Sequence, residues 1–590
     1  MTKDFFFYTT SLKLNCFNCL KLKTADSKNN RNITRSILAV LVLCAFLTIS
    51  IQTQRTVGTI SYNPMKAYDG YNLLYPHNQP NVYLLDNCGR IVHIWEDDPS
   101  FRPGNTAYLL ENGNLIKTKR PASVAGNPIW AGGGGATVEI RTWENDLLWT
   151  FTINDSTARL HHDIEPLPNG NILMLAWENK TAEEAIQAGR DTSLLPDGEL
   201  WPDYLIEVEP IGTDSFDIVW EWHIWDHLIQ DYDASKDNFG VVADHPERMD
   251  INYTSNDGGA DWMHSNAIDY NADLDQIMIS IPFFDEVWII DHSTTTEQAA
   301  GSIGGSVGRG GDLIYRWGNP QVYDSGTAED QTLFFNHDAH WVDDFLDFSH
   351  PDFGKIVVFN NRVGPDYSTV NIFNPGFDMY SWSYTMSGGT FGPDDFDWTA
   401  VHPVDSNLMW STGLSSVQIL PNGNTLICVG RFRYVFELSP DNEIVSEHKT
   451  PLMGGNPVSQ GDTLQMNNNL TFRVTRYPAN YTAFDGRDLE GTEYIELNPD
   501  IAFCESVSTE LDNIAQYQLK IYPNPANDLL IIEWEGGLWV DIEIFDVLGR
   551  RVEYFIASGG RKYHHIGHLQ EGMYFVKINQ SDLQKLLIVR

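Results

Sequence analysis

Basic residues are in short supply. Across 590 residues, 38 Lys and Arg face 80 Asp and Glu, a formal charge of −42. That balance excludes a passive electrostatic hold on nucleic acid or on an anionic membrane; an anionic ligand must be gripped locally. Cysteine is scarcer still, at positions 16, 19, 44, 88, 428 and 504 only, too few for a disulfide framework. Helical periodicity over ten or more residues is almost absent. Hydrophobic residues, by contrast, make up 42% of the chain and include 18 Trp, 25 Tyr and 29 Phe, enough for a large core. At roughly 100–200 residues per domain the length allows several domains, or one large repetitive fold with attachments.

The first 50 residues differ from the rest. Seven bases (Lys3, Lys13, Lys21, Lys23, Lys28, Arg31, Arg35) and two acids (Asp4, Asp26) precede an uncharged apolar run from Ser36 to Ile51. The run falls short of the roughly 20 residues of a spanning helix, so residues 1–56 read as a basic leader with a signal-peptide core, a retained membrane anchor being the alternative. Cys44 lacks the small residues expected before a lipidated cysteine, and the Cys16-Phe-Asn-Cys19 pair lies in the segment expected to be cleaved. Export leaves Cys88, Cys428 and Cys504, an odd number that permits at most one disulfide.

From residue 57 to 505 one theme recurs. A polar turn opens an alternating β-rich run at Glu111-Asn-Gly-Asn-Leu-Ile, Pro168-Asn-Gly-Asn-Ile-Leu and Pro421-Asn-Gly-Asn-Thr-Leu, where Gly supplies the positive φ of a hairpin. Between these turns lie short strands closing on a large residue: Asp86 to Trp95, Glu144 to Trp149, Asp217 to Trp222, Asp312 to Trp317 and Pro440 to Val445. About six such units predict an all-β chain folded as a six-bladed β-propeller. At roughly 75 residues each they exceed the 40–50 of a bare blade, so long loops must be inserted, and a site would be built there.

The tail is separate. Beyond a linker at 506–519, residues 520–590 carry Ile521-Tyr-Pro-Asn-Pro-Ala526, Ile542-Glu-Ile-Phe-Asp-Val-Leu-Gly-Arg550, Gly572-Met-Tyr-Phe-Val-Lys577 and a basic last strand to Arg590, a small β-sandwich. These motifs, in this order, resemble the C-terminal sorting domain read by the type IX secretion system. The resemblance implies passage across the inner and outer membranes to the outside or the cell surface, with the secretion machinery as a partner. An immunoglobulin-like binding module is the alternative.

Chemistry is concentrated in three His-rich segments at strand edges: His161-His162-Asp163, Asp261-Trp-Met-His264-Ser-Asn266 and Asn336-His337-Asp338-Ala-His340. Each is expected just ahead of a strand. Taken singly, each is best read as structural; their recurrence suggests imidazoles converging from different blades, suited to a metal site or to a nucleophile with helpers.

With the Leu-Pro-Asn-Gly-Asn-Thr-Leu-Ile strand at 420–427 and Trp220-Glu-Trp-His-Ile-Trp225-Asp-His, these motifs are similar to bacterial arylsulfotransferases. That family moves a sulfuryl group from a phenolic sulfate ester to another phenol through a sulfated histidine, in ping-pong fashion and without a nucleotide sulfate donor. The resemblance implies aryl sulfates and phenols as partners and no cofactor or metal. It makes His337 the nucleophile, His264 and Asn266 the pair on the sulfuryl oxygens, and His161 or His162 the remaining catalytic histidine. The family's arginine, expected at the end of the next strand, is missing: Ile279-Ser280-Ile281-Pro282 occupies that place. Arg362 and Arg431 are the candidate substitutes.

Two other motifs carry less. Asp291-His-Ser-Thr-Thr-Thr296 reads as turn chemistry around His292. The glycine-rich Gly301–Gly311 segment leads into a strand-like run, which argues against a phosphate cradle. A propeller that has lost or changed catalysis and binds glycans or proteins is the rival reading, favoured by the missing arginine; a metal-dependent hydrolase is the third.

Overall fold

The computed structural model describes residues 55–254, 259–503, 520–534, 540–547, 550–557, 560–578 and 584–590. The leader expected at 1–56 therefore lies almost wholly outside the described residues, as does the linker expected at 506–519. Strand accounts for 43% and helix for 7%, so the all-β expectation is met. No helix among the described residues is long and apolar enough to cross a membrane. Cys88 is disulfide-bonded and Cys428 is a buried free thiol.

Between Gly58 and Tyr494 the strands form six antiparallel sheets of four or five strands. Their first strands are Phe101–Leu109, Ala158–Pro166, Ala267–Asn271, Asn336–Trp341, Ser416–Ile419 and Val474–Pro478. The last two sheets are completed from the start of the chain: Gly58–Tyr62 pairs with Ile444–Lys449, and Gly70–Leu74 pairs with Val474–Pro478. The predicted Asn-Gly turns join first to second strands in three sheets. Gly113, Gly170 and Gly423 have φ of 85°, 91° and 84°, and each turn is locked by an Asn side chain accepting from the amide two residues on.

The first strands are tied to one another in sequence. Asp163 Oδ2 accepts the Ile268 amide (3.3 Å), Asp269 Oδ2 that of Trp341 (2.6 Å) and Asp338 Oδ2 that of Val417 (2.9 Å). Gln418 Oε1 accepts from Arg476 N (2.8 Å), the Tyr477 hydroxyl from Leu109 N (2.8 Å), and Tyr108 donates back to Asp163 Oδ1 (2.7 Å). The chain of acceptors closes on itself. All but the Tyr108 bond satisfy a backbone amide of a first strand, which gives Asp163, Asp269 and Asp338 a structural role.

Tryptophans in the fourth strands of four sheets perform the complementary task; Trp95 and Trp317 end their strands as expected, whereas Trp149 and Trp222 lie inside Leu147–Thr152 and Ser215–His223. Trp95, Trp149, Trp222 and Trp317 are buried, and their indole N–H groups donate to the carbonyls of Thr142, Ser215, Gly311 and Pro393 in following segments, at 2.7–3.1 Å. A large ring fills the space between neighbouring sheets while its one polar atom finds a partner. The glycine-rich segment leads into the strand Tyr315–Trp317 and not into a helix.

Residues 520–590 form a three-stranded and a four-stranded antiparallel sheet that share one core, in which Leu530 and Ile532 of the first meet Ile542, Ile544, Val576 and Leu586 of the second.

Candidate functional site

The His-rich segments sit where the first strands break their pairing. The register of Ala158–Pro166 shifts across His161 to Asp163, and that of Asn336–Trp341 shifts between His337 and His340. His161, His162 and His337 thus lie inside their strands, at bulges, rather than ahead of them; a bulge is what re-aims a side chain out of the pleat. His264 to Asn266 lie just ahead of Ala267–Asn271, as expected. The backbone is left-handed at His162 (φ 49°), His264 (58°), Phe335 (56°) and Asp338 (59°), a strain that non-glycine residues keep where the surroundings impose it and that clusters at functional sites.

These bends bring the sequence-selected residues together. The His162 and His264 rings meet edge to face with centroids 4.6 Å apart. His337 and His162 flank the same ring, Phe472, at 4.7 and 6.1 Å. Asn266 Nδ2 donates to the Asn336 carbonyl next to His337 (2.8 Å), leaving its buried Oδ1 without a partner. His161 lies behind His162: their Nδ1 atoms are 2.8 Å apart, and the His161 ring stacks on Trp177. The Gly132–Gly133 turn packs over the His162 and His264 rings. A Cβ on Gly133 would fall 1.9 Å from His162 Nε2, so only glycine fits there.

The imidazoles have opposite electrostatic characters. Burial pulls His337 down to about 3, helped by His264 and Arg431 against a hydrogen bond to the Ser415 backbone; the ring is neutral at neutral pH, and its Nδ1 has no partner among the described residues. Burial likewise pushes His162 well below the ordinary range, with His264, His161 and His337 adding to it. His264 goes the other way. Burial opposes its charge, but Asp261, 2.5 Å from Nδ1, together with Asp203, holds it above its ordinary value.

Arg362 and Arg431 both face this cluster. Arg362 donates from Nε and Nη2 to the Thr412 carbonyl (3.0 and 2.9 Å) and lies 3.5 Å over the Phe335 ring. Its charge bears on His264. Arg431, held by Asn467 Oδ1 at 3.3 Å with a buried, unpartnered Nε, bears on both His337 and His77. Neither arginine has a carboxylate within ion-pair distance among the described residues. In a chain of charge −42, two guanidinium groups that no carboxylate ion-pairs among the described residues, although Asp285 bears on the charge of Arg362, make a local grip for an anion beside the imidazoles. Beside it, Phe283 stacks on His264 (4.8 Å) and meets Phe335 (5.7 Å), giving an aromatic wall.

The sequence reading missed His77, whose buried Nε2 is unpartnered and whose charge bears on His162. It also missed Arg473, which reaches Asp338 Oδ1 from Nε (2.6 Å) and Asp163 Oδ2 from Nη2 (2.8 Å). Its one signal was position: Phe472-Arg473 immediately precedes Val474–Pro478 as His264 to Asn266 precede Ala267–Asn271. His292 is elsewhere, clasped by Asp275 and Glu207 at 2.7 and 2.9 Å. Among the described residues no three His, Cys, Asp or Glu side chains gather in a metal-binding arrangement. The crevice lined by Asn72, Asp86, His448 and Arg476 is separate from these histidines.

Residues 57–298 match the family described as Arylsulfotransferase (ASST), a stretch that holds His161, His162, His264 and Asn266 but ends before His337. Residues 520–590 match the Secretion system C-terminal sorting domain, which implies secretion or a cell-surface location. No curated protein matches the chain. Among solved structures, a protein of unknown function from Bacteroides caccae is 10% identical, with 69% of this chain and 98% of that one covered at a TM-score of 0.36. Virginiamycin B lyase from Staphylococcus aureus is 9% identical, with 69% and 88% covered at a TM-score of 0.28. Residues 57–298 thus match the arylsulfotransferase family model and residues 520–590 that of a secretion-system C-terminal sorting domain.

Proposed function

We propose that the chain is an exported aryl-sulfate sulfotransferase whose six sheets, at 57–505, are the blades of a β-propeller. In this reading it works by ping-pong transfer through a sulfated His337. The observation that carries the reading is the pairing, across one cluster, of an imidazole that burial keeps neutral, His337, with one whose contact to Asp261 favours the protonated form, His264. A nucleophile needs the first and a leaving phenolate needs the second.

In the donor half-reaction an unprotonated ring nitrogen of His337 attacks sulfur; the N–S bond forms as the S–O(aryl) bond breaks. The departing phenolate oxygen takes the proton of His264, and phenol leaves. In the acceptor half-reaction a second phenol returns its proton to His264 and its oxygen attacks sulfur. The N–S electron pair then goes back to His337. Arg431, Arg362 and Asn266 hold the sulfuryl oxygens, taking over from the arginine absent at Pro282, and His162 completes the pocket. Phe283 and Phe335 pack on the aryl ring.

The test is the intact mass of the folded, secreted protein after brief exposure to 4-nitrophenyl sulfate. A gain of one sulfuryl group, absent in His337→Ala and discharged by added phenol, supports the reading. No adduct and no nitrophenol release would move the weight to a binding propeller.

A further inference from the structure

Histidines in this cluster differ in what stands behind them. His162 is backed by another imidazole, His161. Among the described residues His264 is the site histidine with a carboxylate in hydrogen-bond contact: Asp261 Oδ2 lies 2.5 Å from Nδ1. Both side chains are largely shielded, at 17% and 12% exposure. The ring is clamped against Phe283 at an interplanar angle of 13°, and the Asp261 backbone bridges to Trp201. Neither group can readily swing away.

From this geometry we infer that Asp261 is a positioning residue which makes His264, and not His162, the proton carrier of the cluster. The inference rests on the sulfotransferase reading. A carboxylate on Nδ1 requires a proton there, so the second proton of the imidazolium, the one given to the leaving oxygen, sits on Nε2. When Nε2 has given it up, the Nδ1 proton stays with Asp261 and the ring retains the tautomer that can take a proton back. No rotation is needed between the two half-reactions. The other charges facing the ring are Asp203, which favours the imidazolium, and Arg362, which opposes it, with His162 edge-on. Asp203 is committed elsewhere: Oδ2 accepts the Ser265 amide (2.9 Å) and Oδ1 faces His161 Nε2 (3.4 Å).

Asp261→Asn keeps the shape but removes the carboxylate, and it separates these roles. Single-turnover sulfuryl uptake by the full-length protein would be measured with 4-nitrophenyl sulfate, whose phenolate leaves unaided, and with phenyl sulfate, whose phenolate needs a proton. The inference expects uptake from phenyl sulfate to fall on the order of 10²-fold and uptake from 4-nitrophenyl sulfate to fall less than tenfold. KM should be little changed, and Asp261→Glu should restore much of the loss. A low-field Nδ1 proton resonance, present in the wild type and lost in Asp261→Asn, reports the contact independently of turnover. Equal losses for both donors, or no loss for either, would overturn the inference while leaving the transfer reading intact. Absence of any sulfo-enzyme in the wild type would overturn both.

Discussion

Arg473 donates from Nε to Asp338 Oδ1 at 2.6 Å, and so ties the residue after His337 to the sixth sheet. The same guanidinium reaches Asp163, the residue after His162. One arginine thereby sets the spacing of two strands that carry site histidines. It also stands within ion-pair distance of two carboxylates whose exposure is 2% or less, which burial raises well above the ordinary range in Asp163 and up to about 8 in Asp338.

Replacing Arg473 with Met strands both carboxylates in the interior. Breaking a buried ion pair from one side costs about 3–5 kcal/mol, so the urea midpoint should drop sharply in Arg473→Met. A change under about 1 kcal/mol would show that Asp163 and Asp338 are held by their backbone amides alone.

The two arginines near the histidines are expected to differ. Arg431 has a buried, unpartnered Nε, whereas Arg362 is spent partly on the Thr412 carbonyl. In the transferase reading, Arg431→Gln should lower kcat/KM for 4-nitrophenyl sulfate by roughly 10²-fold, the scale of losing one donor to a developing oxyanion. The same change at Arg362 should cost less than about tenfold. The reverse order would place the sulfuryl group against Phe335 instead.

His161 and His162 separate by burial and partner. His161 stacks on Trp177 at 4.0 Å behind His162, so His161→Ala should mainly lower stability by opening a cavity. His162, edge-on to His264, should mainly affect turnover when replaced. Measuring kcat and the denaturation midpoint for both variants assigns each ring.

His292 gives a pH signature of stability away from the site. Burial opposes its charge, but Asp275 and Glu207 raise it to about 9, above the ordinary 6.5. A raised histidine stabilises fully below the unfolded value, and the contribution is lost as pH rises from about 6.5 through about 9. The loss is on the order of 3 kcal/mol. Thermal midpoints of His292→Asn should therefore trail the wild type at pH 6 and converge with it by pH 10. A constant gap would mean that packing against Trp220, not charge, is what His292 contributes.

Much of the scaffold was legible because its signals are local. Asn-Gly turns require positive φ wherever they occur, and Gly113, Gly170 and Gly423 adopt it. The tryptophans of these strands were visible as a rhythm, though not their carbonyl partners, which come from later in the chain. The positions of His161, His162 and His337 within their strands were misjudged, because a bulge leaves no compositional mark when the flanking residues alternate normally.

The sequence by itself determined the strand-rich character, the separate tail and the three His segments, since each depends on neighbours within a few residues. The tertiary structure alone decided in which of those histidines the neutral form is favoured and in which the protonated form is. Protonation depends on desolvation and on charges from other sheets, such as Asp203 and Arg362 beside His264. It also decided that Arg473, more than a hundred residues from either Asp163 or Asp338, would be their shared counter-ion. Coulombic energy follows distance in space, and that distance exists only once the sheets have closed on one another.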